Sequence, residues 1–153
     1  MVRVITVNTN GIRAAARKGF FSWLETQQAD VVCIQETKAQ QHQLSDPLFH
    51  PQGYVSAFND AHKKGYSGTA IYCRTPPQRF VCELGWDPLD SEGRYVRADY
   101  DKLSVISLYM PSGSSSDAAQ QKKDDFLGKI YPHFVELKTQ GRELIICELN
   151  CPF

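Results

Sequence analysis

This sequence predicts a mixed α/β fold built on antiparallel or mixed sheet, and three observations carry that expectation. Val31-Val-Cys-Ile34 is an unbroken apolar run that reads as a strand covered on both faces. Between Tyr54 and Tyr109, β-rich runs follow one another with no helical pattern between them, which argues antiparallel or mixed pairing. Helical spacing appears in two places only: Phe20, Trp23, Leu24 and Gln27, then Phe126, Leu127, Ile130, Phe134 and Leu137. With 153 residues the chain can hold one ordinary domain with a sizeable core.

Taken in order, residues 2–7 form a short β-rich run ended by the turn chemistry of Asn8-Thr-Asn-Gly11. Residues 19–28 form an amphipathic helix, and Asp30 leads into the buried strand from Val31. Strand, helix, strand within 36 residues makes the first two strands neighbours. Residues 40–52 are polar and broken by Asp46-Pro47 and His50-Pro51. Strands are predicted over 54–59, 69–73, 80–84, 95–100 and 103–109, with a Gly-punctuated loop over 60–68 and Asp101-Lys102 as a two-residue turn. Asp117 is the expected helix N-cap. Pro132 falls inside the apolar stripe and predicts a kink or restart. Gly141 ends the helix, and Leu144-Ile-Ile-Cys147 is a further buried strand.

Composition excludes several classes. The 17 Lys+Arg balance 17 Asp+Glu, so a nucleic-acid partner would need a local basic patch. Arg13, Arg17, Lys18, Lys38, Lys63, Lys64 and Arg74 crowd the first half and could supply one. No basic leader precedes an apolar stretch, and no apolar run reaches membrane-spanning length, so the expected address is the cytoplasm, with no membrane partner. The five cysteines form no Cys-x-x-Cys and read as reduced thiols, and the four histidines lack zinc-ligand spacing.

Polar residues follow the strands in a recurrent way. Glu36 follows the buried strand, Asn8 the first, Tyr109 the strand from Leu103, and Glu148 with Asn150 the last. Any one of them could be merely the first exposed residue after a strand. Together they read as the rim of one cleft suited to phosphoryl transfer. A carboxylate can hold magnesium there, while Asn and Tyr donate to phosphate oxygens that gain charge.

Five motifs then stand in order: Asn8-Thr-Asn-Gly-Ile-Arg13, Ile34-Gln-Glu-Thr-Lys38, Gly65-Tyr-Ser-Gly-Thr-Ala70, Glu92-Gly-Arg94 and Leu108-Tyr-Met-Pro111. In combination they resemble the exodeoxyribonuclease III branch of the endonuclease/exonuclease/phosphatase superfamily, which holds the DNA-repair abasic-site endonucleases. The resemblance runs from Val2 to about Ile146. It implies a four-layer α/β sandwich of two mostly antiparallel sheets with outer helices, of which this chain is roughly the N-terminal half. It implies hydrolysis of DNA phosphodiesters with Mg2+ or Mn2+, 5′ to abasic sites and at 3′ ends of double-stranded DNA, by a monomer. It makes Glu36 the metal ligand, Asn8 a support for the metal and phosphate, and Tyr109 a catalytic residue beside the scissile phosphate. Lys38, Tyr66, Arg94, Asn10 and Arg13 fall in segments expected along the metal site or the DNA strand.

The family pattern continues as Gly-Asp-x-Asn-x-Ala-His, where this chain reads Cys147-Glu-Leu-Asn-Cys-Pro-Phe153. Asn150 is placed on the family's transition-state-stabilising Asn and Glu148 on its proton-transferring Asp, one methylene longer. The family's second half supplies an Asp-His pair, so the expectation is a domain spanning residues 1–153, truncated at its C-terminus and impaired alone. Two other readings remain: a phosphodiesterase of the same superfamily acting on a non-DNA ester, and an inactive half-domain with weak DNA binding.

Overall fold

The structure, a computed structural model, describes residues 2–149. Asn150 and Cys151 therefore lie outside the described residues. Strand β1 (Val4–Asn8) is followed by helices α1 (Ile12–Arg17) and α2 (Phe20–Gln27), then by β2 (Val31–Gln35). Two short 3-10 turns lead to β3 (Val55–Asn59) and β4 (Thr69–Cys73). The second half holds β5 (Arg79–Val81), β6 (Tyr95–Asp99), β7 (Leu103–Leu108), α3 (Asp117–Thr139) and β8 (Glu143–Glu148).

The strands form two four-stranded sheets, in the orders β1-β2-β4-β3 and β5-β6-β7-β8. The pairs β1–β2 and β7–β8 are parallel, and the remaining pairs are antiparallel. The period of two along each strand sorts its side chains into layers. Val31, Cys33, Ile71 and Cys73 meet Val96, Ala98 and Val105 between the sheets. Val32, Ile34, Ala70 and Tyr72 point the other way, onto Ile12, Phe21 and Leu24 of the first two helices. Tyr95, Ile106 and Leu108 do the same beneath Phe126, Ile130 and Leu137 of α3. Helices, sheet, sheet and helix thus give four layers. All five residues of β2 are buried, as the apolar run requires.

Several expectations are corrected. Helix α1 was not anticipated: it has six residues, begins straight after Gly11 and has no side-chain N-cap. The cap of α3 is Ser116, whose Oγ accepts from Ala119 N at 3.1 Å, and Asp117 is the first helical residue. Helix α3 neither stops nor restarts at Pro132; it runs 23 residues through it, because Phe126 and Ile130 before the proline and Leu137 after it all stay on the sheet. Leu127 is off that face and 44% exposed. Ile146 is also exposed, since β8 lies at the end of its sheet's strand order. The strand predicted over 69–73 is found with those bounds, and the other predicted strands shift by one or more residues at an end. Cys33, Cys73, Cys82 and Cys147 are free thiols. Among the described residues no helix is long and apolar enough to cross a membrane.

One glycine holds the first sheet to the loop before β6. Gly93 has φ +57°, and a Cβ there would lie 2.4 Å from the Asn59 carbonyl oxygen and 2.7 Å from the Asp60 carbonyl carbon. Thr69 Oγ1 donates to the Gly93 carbonyl at 3.0 Å. Gly93→Ala is expected to cost about 1–3 kcal/mol or more, combining left-handed strain with a clash against backbone. A urea melt should show a lower midpoint with an unchanged slope.

Candidate active site at the strand tips

The parallel register pairs Asn8 with Gln35, so the C-terminal tips of β1 and β2 lie side by side. The chain then turns through Glu36 (φ 54°) and Lys38 (φ 47°), both left-handed and neither glycine. Such residues cost on the order of 1–3 kcal/mol each and persist only where their surroundings over-determine them. Here they do. Gly11 N and Ile12 N donate to the Glu36 and Thr37 carbonyls at 2.8 and 2.9 Å. On the other side Thr37 N and Lys38 N donate to the Gly68 and Ser67 carbonyls at 3.1 and 2.9 Å. The Glu36 backbone is therefore clamped between two loops.

Its carboxylate is clamped as well. Asn8 Nδ2 donates to Oε1 at 2.7 Å, and Lys38 Nζ lies 2.9 Å from Oε2. The Tyr109 hydroxyl stands close enough to the carboxylate to favour its ionised form. Asn8 in turn donates to the Leu149 carbonyl at 3.1 Å and accepts from Asn10 N at 3.0 Å. Lys38 reaches the Asn10 side-chain carbonyl. Glu36, Asn8, Asn10 and Lys38 thus form one bonded cluster at the strand tips, with the Tyr109 hydroxyl beside it. Burial alone would raise the Glu36 pKa, but the bonds from Asn8, Lys38 and Tyr109 outweigh it and hold the carboxyl below its ordinary value. The Tyr109 hydroxyl moves the other way, first through burial and then through the Glu36 carboxylate, so it remains a donor at neutral pH.

A second group adjoins the first. Arg94 is only 4% exposed and spends its donors on protein. Nε donates to Glu92 at 2.6 Å, Nη1 to the Tyr109 carbonyl at 3.0 Å and Nη2 to the Tyr66 hydroxyl at 3.0 Å. Its guanidinium lies 5.0 Å from the Tyr109 ring centroid. Arg94 therefore braces Tyr109 and Tyr66 together. Arg13 stands apart, in a shallow depression shared with Asn10, Arg17 and Lys38.

Glu148 is not brought to Glu36. The pleat of β8 puts Cys147 between the sheets and Glu148 on the opposite side, beside Ser112, Gly113 and Lys123. Its Oε1 accepts from Met110 N at a long 3.4 Å. Burial raises its pKa, only partly offset by the Met110 N–H and Lys123.

Sequence reasoning passed over Gln35. It is fully buried, accepts from Thr6 Oγ1 at 3.1 Å, and donates to Ser107 Oγ at 3.2 Å and to the Cys147 carbonyl at 3.3 Å. It ties the tip of β2 to β7 and β8. The available signal was an uncharged polar residue closing a fully buried strand, which needs partners from a neighbouring layer.

A sandwich with its polar groups gathered at the tips of two sheets defines the class of protein. The chain belongs to the Endonuclease/Exonuclease/phosphatase family, whose model matches residues 5–139. It is 37% identical over 151 residues to an exodeoxyribonuclease of Bacillus subtilis (strain 168), covering 97% of this chain and 58% of that protein. In structure it is similar to the Xenopus laevis APE2 catalytic domain, with TM-score 0.82 and 27% identity over 96% of this chain and 57% of that one. An AP endonuclease from Archaeoglobus fulgidus gives TM-score 0.79 and 28% identity, over 97% of this chain and 56% of that one. The chain spans little more than half the length of these relatives.

Proposed function

We propose that this chain carries the metal-binding and phosphate-binding half of a DNA-repair nuclease that hydrolyses phosphodiesters at abasic sites and 3′ ends. The observation that carries the reading is the Glu36 carboxylate at a strand tip, clamped by Asn8 Nδ2 and Lys38 Nζ, with the Tyr109 hydroxyl beside it. The two named AP-endonuclease and exodeoxyribonuclease relatives support DNA as the substrate.

The residues fit a magnesium ion. One carboxylate with an amide beside it, and no cluster of three His, Cys, Asp or Glu among the described residues, suits a cation that keeps several waters and takes further oxygens from the substrate phosphate. The Lys38 ammonium already places positive charge against Glu36 Oε2. Glu36 would hold the ion, and Asn8 would hold Glu36. An ion held by Glu36 would supply charge neutralisation at the scissile phosphate and activation of a water.

The chain's own groups do the rest. Tyr109 donates to a nonbridging oxygen as charge develops there. Arg94 keeps the Tyr109 ring and backbone in place. Asn150 is suited to hydrogen bonding at the phosphate, while Glu148, turned toward Ser112, Gly113 and Lys123, is given no part in the step. Arg13, Lys38 and Tyr66 line the path of the strand on either side.

The test is nicking of duplex DNA with one abasic site, with magnesium and with chelator, by this chain. Chelator-sensitive nicking is expected. Tyr109→Phe, which keeps the ring under Arg94 and removes the donor, should lower the rate about 100- to 1,000-fold with little change in melting. Nicking that is indifferent to both changes would remove the reading.

A further inference from the structure

The site described above leaves one large concavity unused. A trough of about 770 Å3 begins at Tyr66 and Arg94 and runs between the loop at Trp86 and the first turns of α3. Its volume falls in the range of small-ligand sites. Two aromatic rings form its wall: Trp86 meets Phe126 edge-on, with centroids 5.1 Å apart. Trp86 is half-buried and packs on one side against the cluster that holds Phe126 and Leu89. Lys129 Nζ lies over the indole at 5.3 Å.

Trp86 is deliberately placed. Asp90 accepts from three successive backbone N–H groups, with Oδ1 taking Leu84 N at 2.8 Å and Oδ2 taking Gly85 N at 2.7 Å and Trp86 N at 3.0 Å. One carboxylate thus holds the loop that carries the indole.

Charge decides what the trough receives. Arg94, Lys122 and Lys129 line it, but so do Asp87, Glu92 and Asp125. Arg94 commits three of its five N–H donors to Glu92, Tyr66 and Tyr109, and Glu92 offsets its charge. A phosphate-tracking channel needs excess positive charge. A balanced trough with an aromatic wall suits a flat, neutral ring system that stacks.

We propose that this trough receives an unstacked nucleobase from the strand whose phosphate lies at Tyr109, with the base against the Trp86 indole. The inference rests on the nuclease reading for the presence of that strand, but its test does not use cleavage. The chain has two tryptophans, so Trp23→Phe leaves Trp86 as the only indole. This variant is titrated in chelator with deoxyadenosine 5′-monophosphate, with a short oligodeoxyadenylate, and with 2-deoxyribose 5-phosphate, which has no base. Saturable quenching by the first two and none by the third is expected. Trp86→Leu should weaken oligodeoxyadenylate binding, followed by anisotropy of a labelled strand, by roughly ten- to a hundredfold, while Trp86→Phe keeps most of it. Circular dichroism confirms that each variant is folded. Equal quenching by the baseless sugar phosphate would overturn the proposal. So would equal quenching of Trp23, 45% exposed on α2, in the Trp86→Phe variant, because that marks stacking on any open indole. Quenching without nicking keeps the base site and removes the nuclease reading. Nicking without quenching removes the base site alone.

Discussion

Glu36→Gln is expected to lower magnesium-dependent nicking by at least about a hundredfold, since losing even a residue that supports a metal ligand costs 10–100-fold. The substitution preserves volume and backbone, so the effect is one of charge. An amide there can accept through one oxygen only. Three donors, the Asn8 amide, the Lys38 ammonium and the Tyr109 hydroxyl, would then compete for it. Stability should fall by about 1–3 kcal/mol, because Glu36 is buried and the amide leaves a donor such as Asn8 Nδ2 without its acceptor, while Lys38 can turn to water. Asn8→Ala gives the graded control. It leaves the carboxylate and removes its holder, so a loss of about 10–100-fold is expected. The pKa direction adds a condition. The folded Glu36 pKa is depressed, so the carboxylate contributes stability above its unfolded value and loses it only as pH falls through the lower folded one. Glu36 is therefore ionised throughout the neutral range, and a decline of nicking at mildly acid pH cannot come from its titration. If Glu36→Gln nicks abasic duplex at the wild-type rate with magnesium, the metal is not held where we place it.

Much of this site was legible because it sits at strand tips. An apolar run that stops abruptly at Gln35-Glu36 fixes both the strand and the point where its backbone leaves the core. Once β1 and β2 are taken as neighbours, parallel pairing brings Asn8 to that point without further assumption. Tyr109 follows from the same logic on β7. Partnership was not legible. The sequence places Lys38 and Arg94 near phosphate. The structure has Lys38 ion-paired to Glu36 and Arg94 stacked on Tyr109, and no periodicity predicts a bond between residues in different motifs.

The layers show the same division. Period-two burial is written in the strands, so the inter-sheet core was accessible to reading. Helix α1 was not, because six residues with alanines at three of them carry too little apolar periodicity to register. Exposure on α3 and β8 failed for another reason. Leu127 and Ile146 belong to apolar runs, and only the rotation of the helix and the strand's place at the end of its sheet decide that they face outward. Polar residues buried beneath α3 were invisible as well, since Arg97 and Asp99 read as ordinary alternation in a strand.

Those buried charges make the largest stability change we expect, from Asp99→Asn. Asp99 is fully buried on the α3 side of β6. Oδ2 accepts from Arg79 Nε at 2.7 Å and Arg97 Nη2 at 3.0 Å, and Oδ1 accepts from Ser104 Oγ at 2.6 Å. Arg142 Nη1 stands 3.9 Å from Oδ1. One carboxylate thus faces three guanidiniums. Arg97 is the costly one to orphan, being 6% exposed at its side chain, whereas Arg79 at 60% can turn to water. Beside Arg97 lie the Tyr95 hydroxyl and His133 Nε2, each 3.3 Å from Nη1, and neither can replace an anion. Burial and Arg97 lower the His133 pKa, so the imidazole is neutral and adds no second cation. Removing one partner of a buried pair typically costs about 3–5 kcal/mol, because the other charge is left uncompensated. Asp99→Asn should fall in that range in a urea melt, and Asp99→Asn with Arg97→Met should recover a substantial part. The pH dependence separates charge from packing. Burial would raise the Asp99 pKa, but Ser104, Arg79 and Arg97 outweigh it and the folded value is depressed. Its stabilisation is therefore complete above the ordinary carboxylate pKa and is lost as pH falls below that toward the folded value. The gap between wild type and Asp99→Asn should be constant near neutrality and narrow in acid. A gap that stays the same down to full acid denaturation would mean that Asp99 acts through shape rather than charge.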